Sequence, residues 1–325
     1  MNSFFNSFND KILRIKILVI FFIFFLLLMR GYVSAEDSFE ARRRFKFGKD
    51  EFSKGNYEKA VKEFEESLKA DSSLIDARYL MAICYYQMSL KSDKEKNTKR
   101  ALEELEKIIK KEVKYEGAYV YTAKIYSDQK QYDKAEEVLK KLTSLGFSSR
   151  GYYALGSLYY QKGDIDKAVD YWKRSVEMGS KYLPAYFNLS VVCYNKNELT
   201  KALEYINRAL RQDMDSYRYF KGKILLKMDK VSQAKEEFSK VMHVFKDSEY
   251  ASYSKVQMLI LEKKYSEAVK LLAGKEDDEA FFLKAYLLYK EGKYSDAKDI
   301  LSGLLSNDPN NKDVIELLDE ISKKK

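Results

Sequence analysis

Proline is almost missing from this chain, with 2 residues in 325, and only 13 glycines accompany it. Sandwiches and barrels need turn formers at spacings of about 8 to 12 residues, so so few breakers exclude an all-β chain. Histidine occurs once, His243, and cysteine twice, Cys84 and Cys193. No Cys/His zinc cluster and no histidine-centred triad can be assembled from three such residues, which removes most metal-dependent and nucleophilic enzymes. No cofactor and no metal are expected. Charge of one sign is also modest: the formal net charge is +9, and Lys11, Arg14, Lys16 and Arg30 in the first 35 residues face only Asp10. The small excess that remains reads as a lysine and glutamate coat on solvated helix faces, not as a nucleic-acid surface.

What is present is a core. Hydrophobic residues make up 46% of the chain and aromatics 14%, too much for a disordered polymer. One uncharged run stands out, Ile17 to Met29, behind the basic flank of Lys11, Arg14 and Lys16. Its length suits the apolar segment of a signal peptide better than the roughly 20 residues of a spanning helix. Val33, Ser34 and Ala35 follow with small side chains, which predicts a signal peptide over residues 1–35 cleaved after Ala35. The alternative is an uncleaved anchor over residues 12–33. Either reading exports everything after Glu36, and the low-proline, Lys-, Ile- and Tyr-rich composition suggests a bacterial periplasm as the compartment.

The rest of the chain repeats itself. Ala60, Ala101, Ala135, Ala168, Ala202, Ala234, Ala268 and Ala297 recur at intervals of 41, 34, 33, 34, 32, 34 and 29 residues. Each opens an amphipathic helical stretch, and most have an aromatic or aliphatic residue three positions earlier, as at Tyr57, Tyr132, Ile165 and Tyr294. Small residues stand twelve positions before six of the alanines: Gly48, Ala123, Gly156, Ser190, Gly222 and Ala285, with Val256 the exception. In the second unit Ala82 takes that place, because seven extra residues separate its helices. Bulky residues follow each alanine by four: Phe64, Leu105, Leu139, Trp172, Ile206, Phe238, Leu272 and Leu301.

This pattern resembles the tetratricopeptide repeat, two antiparallel helices, A and B, in 34 residues, with the alanines at repeat position 20 and the small residues at position 8. The resemblance implies an all-α, right-handed superhelical solenoid of about eight helix pairs over residues 36–325. Repeats are expected near 41–74, 75–115, 116–148, 149–182, 183–214, 215–248, 249–277 and 278–310, with a C-terminal capping helix in 311–325. Two departures carry expectations of their own. Lysine at the normally apolar position 7, as Lys221, Lys255 and Lys284, predicts irregular A/B packing in the last three repeats. The charged segment Lys91 to Lys99, which holds the insertion, reads as a solvated loop without core residues.

In this family, positions 5, 9 and 12 of helix A share the concave face. Position 5 carries Phe45, Tyr79, Tyr153, Phe187, Tyr219, Tyr253 and Phe282, interrupted only by Val120, and position 12 adds Phe52, Tyr86, Tyr160, Tyr194 and Tyr289. Two readings stand: a ladder of rings that docks a helix or extended peptide, or rings that pack between neighbouring helices. The clamp that some family members use on a C-terminal carboxylate is not reproduced, because only Asn188 of its residues is in place.

The cluster Arg42, Arg43 and Arg44 is either a contact for anionic lipid or the polar outer face of the first repeat. Trp172 is expected in the core, Cys84 and Cys193 as buried free thiols, and His243 in packing or at the surface. The functional expectation is a non-enzymatic scaffold that binds a protein partner in an envelope assembly. The alternative is a structural component, such as a flagellar-motor collar or a secretion or outer-membrane assembly part, acting by oligomerisation.

Overall fold

A computed structural model describes residues 37–146, 148–178 and 182–324. The leader or anchor expected in residues 1–35 lies outside the described residues. Among the described residues there are helices and turns and no strand. Helix α1 covers 37–53, followed by α2 (Tyr57–Ala70), α3 (Ile75–Ser89), α4 (Lys94–Lys111), α5 (Glu116–Asp128) and α6 (Tyr132–Ser144). After Gly146 the chain passes into a second compact unit. It holds α7 (Ser149–Gln161), α8 (Ile165–Met178), α9 (Leu183–Asn195), α10 (Leu199–Ala209), α11 (Asp215–Lys227) and α12 (Val231–Val244). It continues with α13 (Glu249–Leu261), α14 (Tyr265–Leu271), α15 (Asp278–Lys290), α16 (Tyr294–Asn307) and α17 (Lys312–Ser322). The first unit is thus three helix pairs, and the second is five pairs and one last helix.

The turn inside each pair is set by one residue. In seven of the eight pairs, five positions before the position-20 alanine, Gly55, Lys130, Gly163, Asn197, Asp229, Lys263 and Gly292 adopt positive φ, between 59° and 80°. The next residue then donates its N–H to the carbonyl five residues back, as Gln131 to Tyr126 at 2.8 Å and Lys264 to Leu259 at 2.8 Å. That is the left-handed helix stop in which orphan carbonyls of the A helix are satisfied. Helix B begins two residues after the turn residue, on the aromatic or aliphatic side chain that marks each repeat: Tyr57, Tyr132, Ile165, Leu199, Val231, Tyr265 and Tyr294.

All eight position-20 alanines are fully buried, and so are the bulky residues one turn further along. Opposite these bulky residues sits position 8, and the two are matched in volume. A Cβ built on Gly48 would lie 2.5 Å from Phe64, one on Gly156 2.4 Å from Trp172, and one on Gly222 2.4 Å from Phe238. Aromatic rings at position 24 therefore fill the space of the missing side chain. In the five repeats with Leu or Ile at position 24, position 8 holds Ala, Ser or, opposite Leu272, Val256. The exception at Val256 is thus accommodated, fully buried, because its partner is small. Trp172 is buried as expected, and its indole N–H donates to the Tyr153 carbonyl at 3.2 Å.

Three expectations are corrected. The segment Lys91 to Lys99 is not a solvated loop: helix α4 begins at Lys94, and Asn97 and Thr98 are buried. Only a short turn through Asp93, at φ 47°, separates the helices, and Asn97 caps it by donating to the Ser92 carbonyl at 3.1 Å. The insertion therefore lengthens helix B, whose added turns find polar partners locally. Lysine at position 7 does not unpair the helices either, and irregularity is confined to the seventh repeat, whose helix B, α14, has only 7 residues. Lys221 reaches over the helix surface to Glu237 of α12 at 3.0 Å, Lys284 donates to the Lys275 carbonyl at 2.6 Å, and Lys255 is exposed. Cys84 is a buried free thiol whose pKa burial pushes up to about 12, but Cys193 is only half-buried. His243 lies exposed at the end of α12.

The inner face of the A helices

Each of the A helices α1, α3, α5, α7, α9, α11, α13 and α15 carries its own positions 5, 9 and 12 on one side because these are spaced by four and seven residues. The rings placed there fall into two groups. Tyr86, Tyr194, Tyr219 and Tyr253 are buried, whereas Phe45, Tyr79, Tyr153, Phe187 and Phe282 are half-buried and Tyr160 is 37% exposed. Most pack against a ring in the same or the next repeat. Tyr79 meets Tyr115 at 5.3 Å and Tyr121 at 6.0 Å, Tyr153 meets Tyr182 at 4.8 Å, and Phe187 stacks on Tyr217 at 4.7 Å. Phe45 packs on Phe64 within its own repeat at 6.0 Å.

The buried tyrosines carry a feature that the aromatic pattern did not announce: their hydroxyls hold carboxylates. Tyr86 donates to Asp128 and Tyr253 to Asp277. Tyr219 donates to Glu279 at 2.5 Å, and Tyr194 to Asp313 at 2.8 Å. Burial, reinforced by the adjoining carboxylates, raises all four phenol pKa values, so each stays a neutral donor.

In the second unit this pattern becomes a network. Lys223 of α11, one turn after Tyr219, pairs with Glu279 of α15 at 3.1 Å and with Asp313 of α17 at 3.5 Å. Lys227 pairs with Asp313 at 3.4 Å and Glu316 at 2.8 Å, and its ammonium lies 4.6 Å from the centre of the Tyr194 ring. Gln257 of α13 adds a bond to the Tyr219 hydroxyl at 3.2 Å. Burial alone would lower the Lys223 pKa and raise that of Asp313. Mutual attraction outweighs it, leaving the lysine raised and the carboxyl below the usual range. Lys223 and Lys227 are the inner-face residues that sequence reasoning missed. The available signal was their charge on a face otherwise filled by rings.

Between α7 and α9 the same face opens into a pocket of about 270 Å³ lined by Ser157, Tyr160, Gln161, Trp172, Phe187 and Asn188. The arrangement offers an apolar floor, the Tyr160 ring packed on Trp172 at 5.7 Å and the Asn188 amide. It can hold an apolar side chain while bonding the peptide groups beside it. In the first unit the arginine cluster is largely engaged: Arg43 and Arg44 pair with Glu40 at 2.7 Å, and Arg44 also reaches Glu63 of α2 at 3.1 Å. Those two guanidinium groups hold the Glu40 carboxyl down at about 2. Arg42 remains exposed. Among the described residues, no group of three or more His, Cys, Asp or Glu side chains is placed to hold a metal ion, and no helix is long and apolar enough to cross a membrane.

Paired helices with alanine-packed crossings and a ring-lined inner face define a helical-repeat protein of the kind that binds other proteins. Tetratricopeptide-repeat models match residues 51–74, 76–112, 118–145, 153–217 and 279–311. The chain belongs to the tetratricopeptide repeat family, whose members generally bind protein partners. Helices α12 to α14 fall in the stretch these models leave uncovered, and they keep the same pairing.

Among solved structures, a chain of the Cut9–Hcn1 hetero-tetramer of the APC/C is 13% identical with a TM-score of 0.54, covering 82% of this chain and 52% of its own. That likeness concerns the fold, and this chain spans about half of that protein. PilF of Pseudomonas aeruginosa is 17% identical (TM-score 0.48, covering 69% of this chain and 99% of that one). A tetratricopeptide repeat protein from Parabacteroides merdae is 13% identical (TM-score 0.47, covering 87% and 99%). No curated protein matches the sequence.

Proposed function

We propose that this chain is a non-enzymatic, exported scaffold that captures a protein partner on the inner face of its A helices within a bacterial cell-envelope assembly. The observation that carries the binding mode is the pocket between α7 and α9, where Tyr160, packed on Trp172 at 5.7 Å yet still 37% exposed, stands beside Asn188. Export is supported by the basic flank, the uncharged run Ile17 to Met29 and the small residues ending at Ala35. Arg42, on the exposed side of the first repeat, is the group left for contact with an anionic membrane surface.

The test is crosslinked capture from the envelope fraction, comparing the wild-type chain with Tyr160→Ala. An interface aromatic contributes about 2 kcal/mol or more, so capture should fall about thirtyfold while helicity stays unchanged. Undiminished capture by a folded Tyr160→Ala chain would remove this pocket from the binding surface. N-terminal sequencing of the same material should begin at Glu36, and an intact Met1 would identify the anchor instead.

A further inference from the structure

Helix α17 does more than close the array. Its apolar face, Val314, Leu317 and Ile321, is buried with Ala285, Ala297 and Leu301 of the eighth repeat. That packing is all an end cap needs, since its other side has only to be polar. Yet the first turn of α17 also reaches the inner face of repeats five and six, where Asp313 accepts from Tyr194, 119 residues earlier, and from Lys227, 86 residues earlier. Glu316, one turn on, takes Lys227 at 2.8 Å. The two lysines are only 16% and 18% exposed, so they depend on carboxylates brought from elsewhere in the chain. Beside them lies a cleft of about 480 Å³, walled by Leu226, Ile260, Phe282 and Tyr286.

We propose that this groove is a receptor for the start of an acidic amphipathic helix, and that α17 is its resident occupant, displaced when a partner protein presents such a helix. The occupant displays the recognition chemistry. It carries two carboxylates one turn apart, Asp313 and Glu316, which satisfy two ammonium groups and a tyrosine hydroxyl. Leu317 follows next to Glu316, facing the apolar wall. A partner helix with the same order of groups, acid, two spacers, acid, then a large aliphatic residue, meets the same donors. Charge complementarity fixes its polarity, because the carboxylates must come at the N-terminal turn, where the helix dipole also favours them. An attached helix competes at an effective concentration in about the millimolar range, so α17 keeps the site closed to weak ligands. The proposal rests on the reading that the inner face takes protein ligands, but it concerns repeats five to eight and not the Tyr160 pocket.

The probe is a fluorescein-labelled synthetic peptide of residues 309–324, titrated by anisotropy into the full chain. Asp313→Asn with Glu316→Gln removes the resident charges and keeps the apolar face of α17, so the cap stays folded. This variant should bind the peptide at least about tenfold more tightly than the wild-type chain does, the equivalent of one charge-assisted contact. Adding Lys223→Gln and Lys227→Gln should abolish that binding. If the added pair lowers helicity, Lys227→Gln alone gives the same comparison. Equal binding by wild type and variant, or binding that survives loss of the lysines, would overturn the proposal. The Tyr160→Ala capture assay scores that pocket and this titration scores the lysines, so failure of the groove and failure of the Tyr160 pocket are read separately.

Discussion

Replacing Gly222 with alanine should destabilise the second unit, although alanine is the better helix former. A Cβ at this position would lie 2.4 Å from Phe238 Cε1 and 2.7 Å from Cζ. Carbon atoms prefer about 3.5 to 4.0 Å, so the ring must retreat by about 1 Å. It has nowhere to go: Phe238 is fully buried, with the Tyr219 ring centred 5.7 Å away. Overpacking of this kind costs about 1 to 3 kcal/mol, and a walled-in ring belongs at the upper end. Alanine returns about 1 kcal/mol of helix propensity, which leaves a net loss of about 2 kcal/mol.

The same substitution in a Phe238→Leu background restores the pairing of small with aliphatic found in repeats three and eight. There it should be neutral or stabilising by up to about 1 kcal/mol, a coupling of about 2 to 3 kcal/mol between the two sites. Urea unfolding of the four proteins, followed by circular dichroism, measures the cycle. Hydrogen exchange in α11 and α12 isolates the local effect, because a repeat array need not unfold in two states. A Gly222→Ala effect of the same sign and size in both backgrounds would refute the volume-matching argument.

Tyr119 is buried to 1% exposure and its hydroxyl has no hydrogen-bond partner among the described residues, so Tyr119→Phe should raise stability by about 1 kcal/mol in urea titrations, where removal of a paired hydroxyl would lower it. Lys130 and Lys263 hold left-handed turns at φ 61° and 60°, and glycine at either place should stabilise by up to about 1 kcal/mol, read as a higher melting temperature. Asp313 has a folded pKa below its unfolded value, so its contribution is present above about pH 4 and is lost as pH falls through the lowered folded value. The urea midpoint of the wild-type chain should therefore drop more steeply in acid than that of Asp313→Asn, and parallel acid limbs would deny the carboxylate this role.

The period of the alanines determined the helix pairing by itself, because a small side chain at position 20 lets the two helix axes close at the crossing. Even the exchange between Gly222 with Phe238 and Val256 with Leu272 is written in the residue types, as a volume that must be shared. The turn residues were not legible in the same way, since Lys130 and Lys263 hold the left-handed region without the glycine that would have announced it. Other features depended on which surfaces meet in space. Whether Tyr194 and Tyr219 face a ligand or their own chain could not follow from spacing, because Asp313 and Glu279 reach them from 119 and 60 residues away. Local pattern records which side of a helix a residue occupies. Only the tertiary structure decides what comes to lie against that side, and in the second unit it brought the last helix back onto the face that the rings had marked.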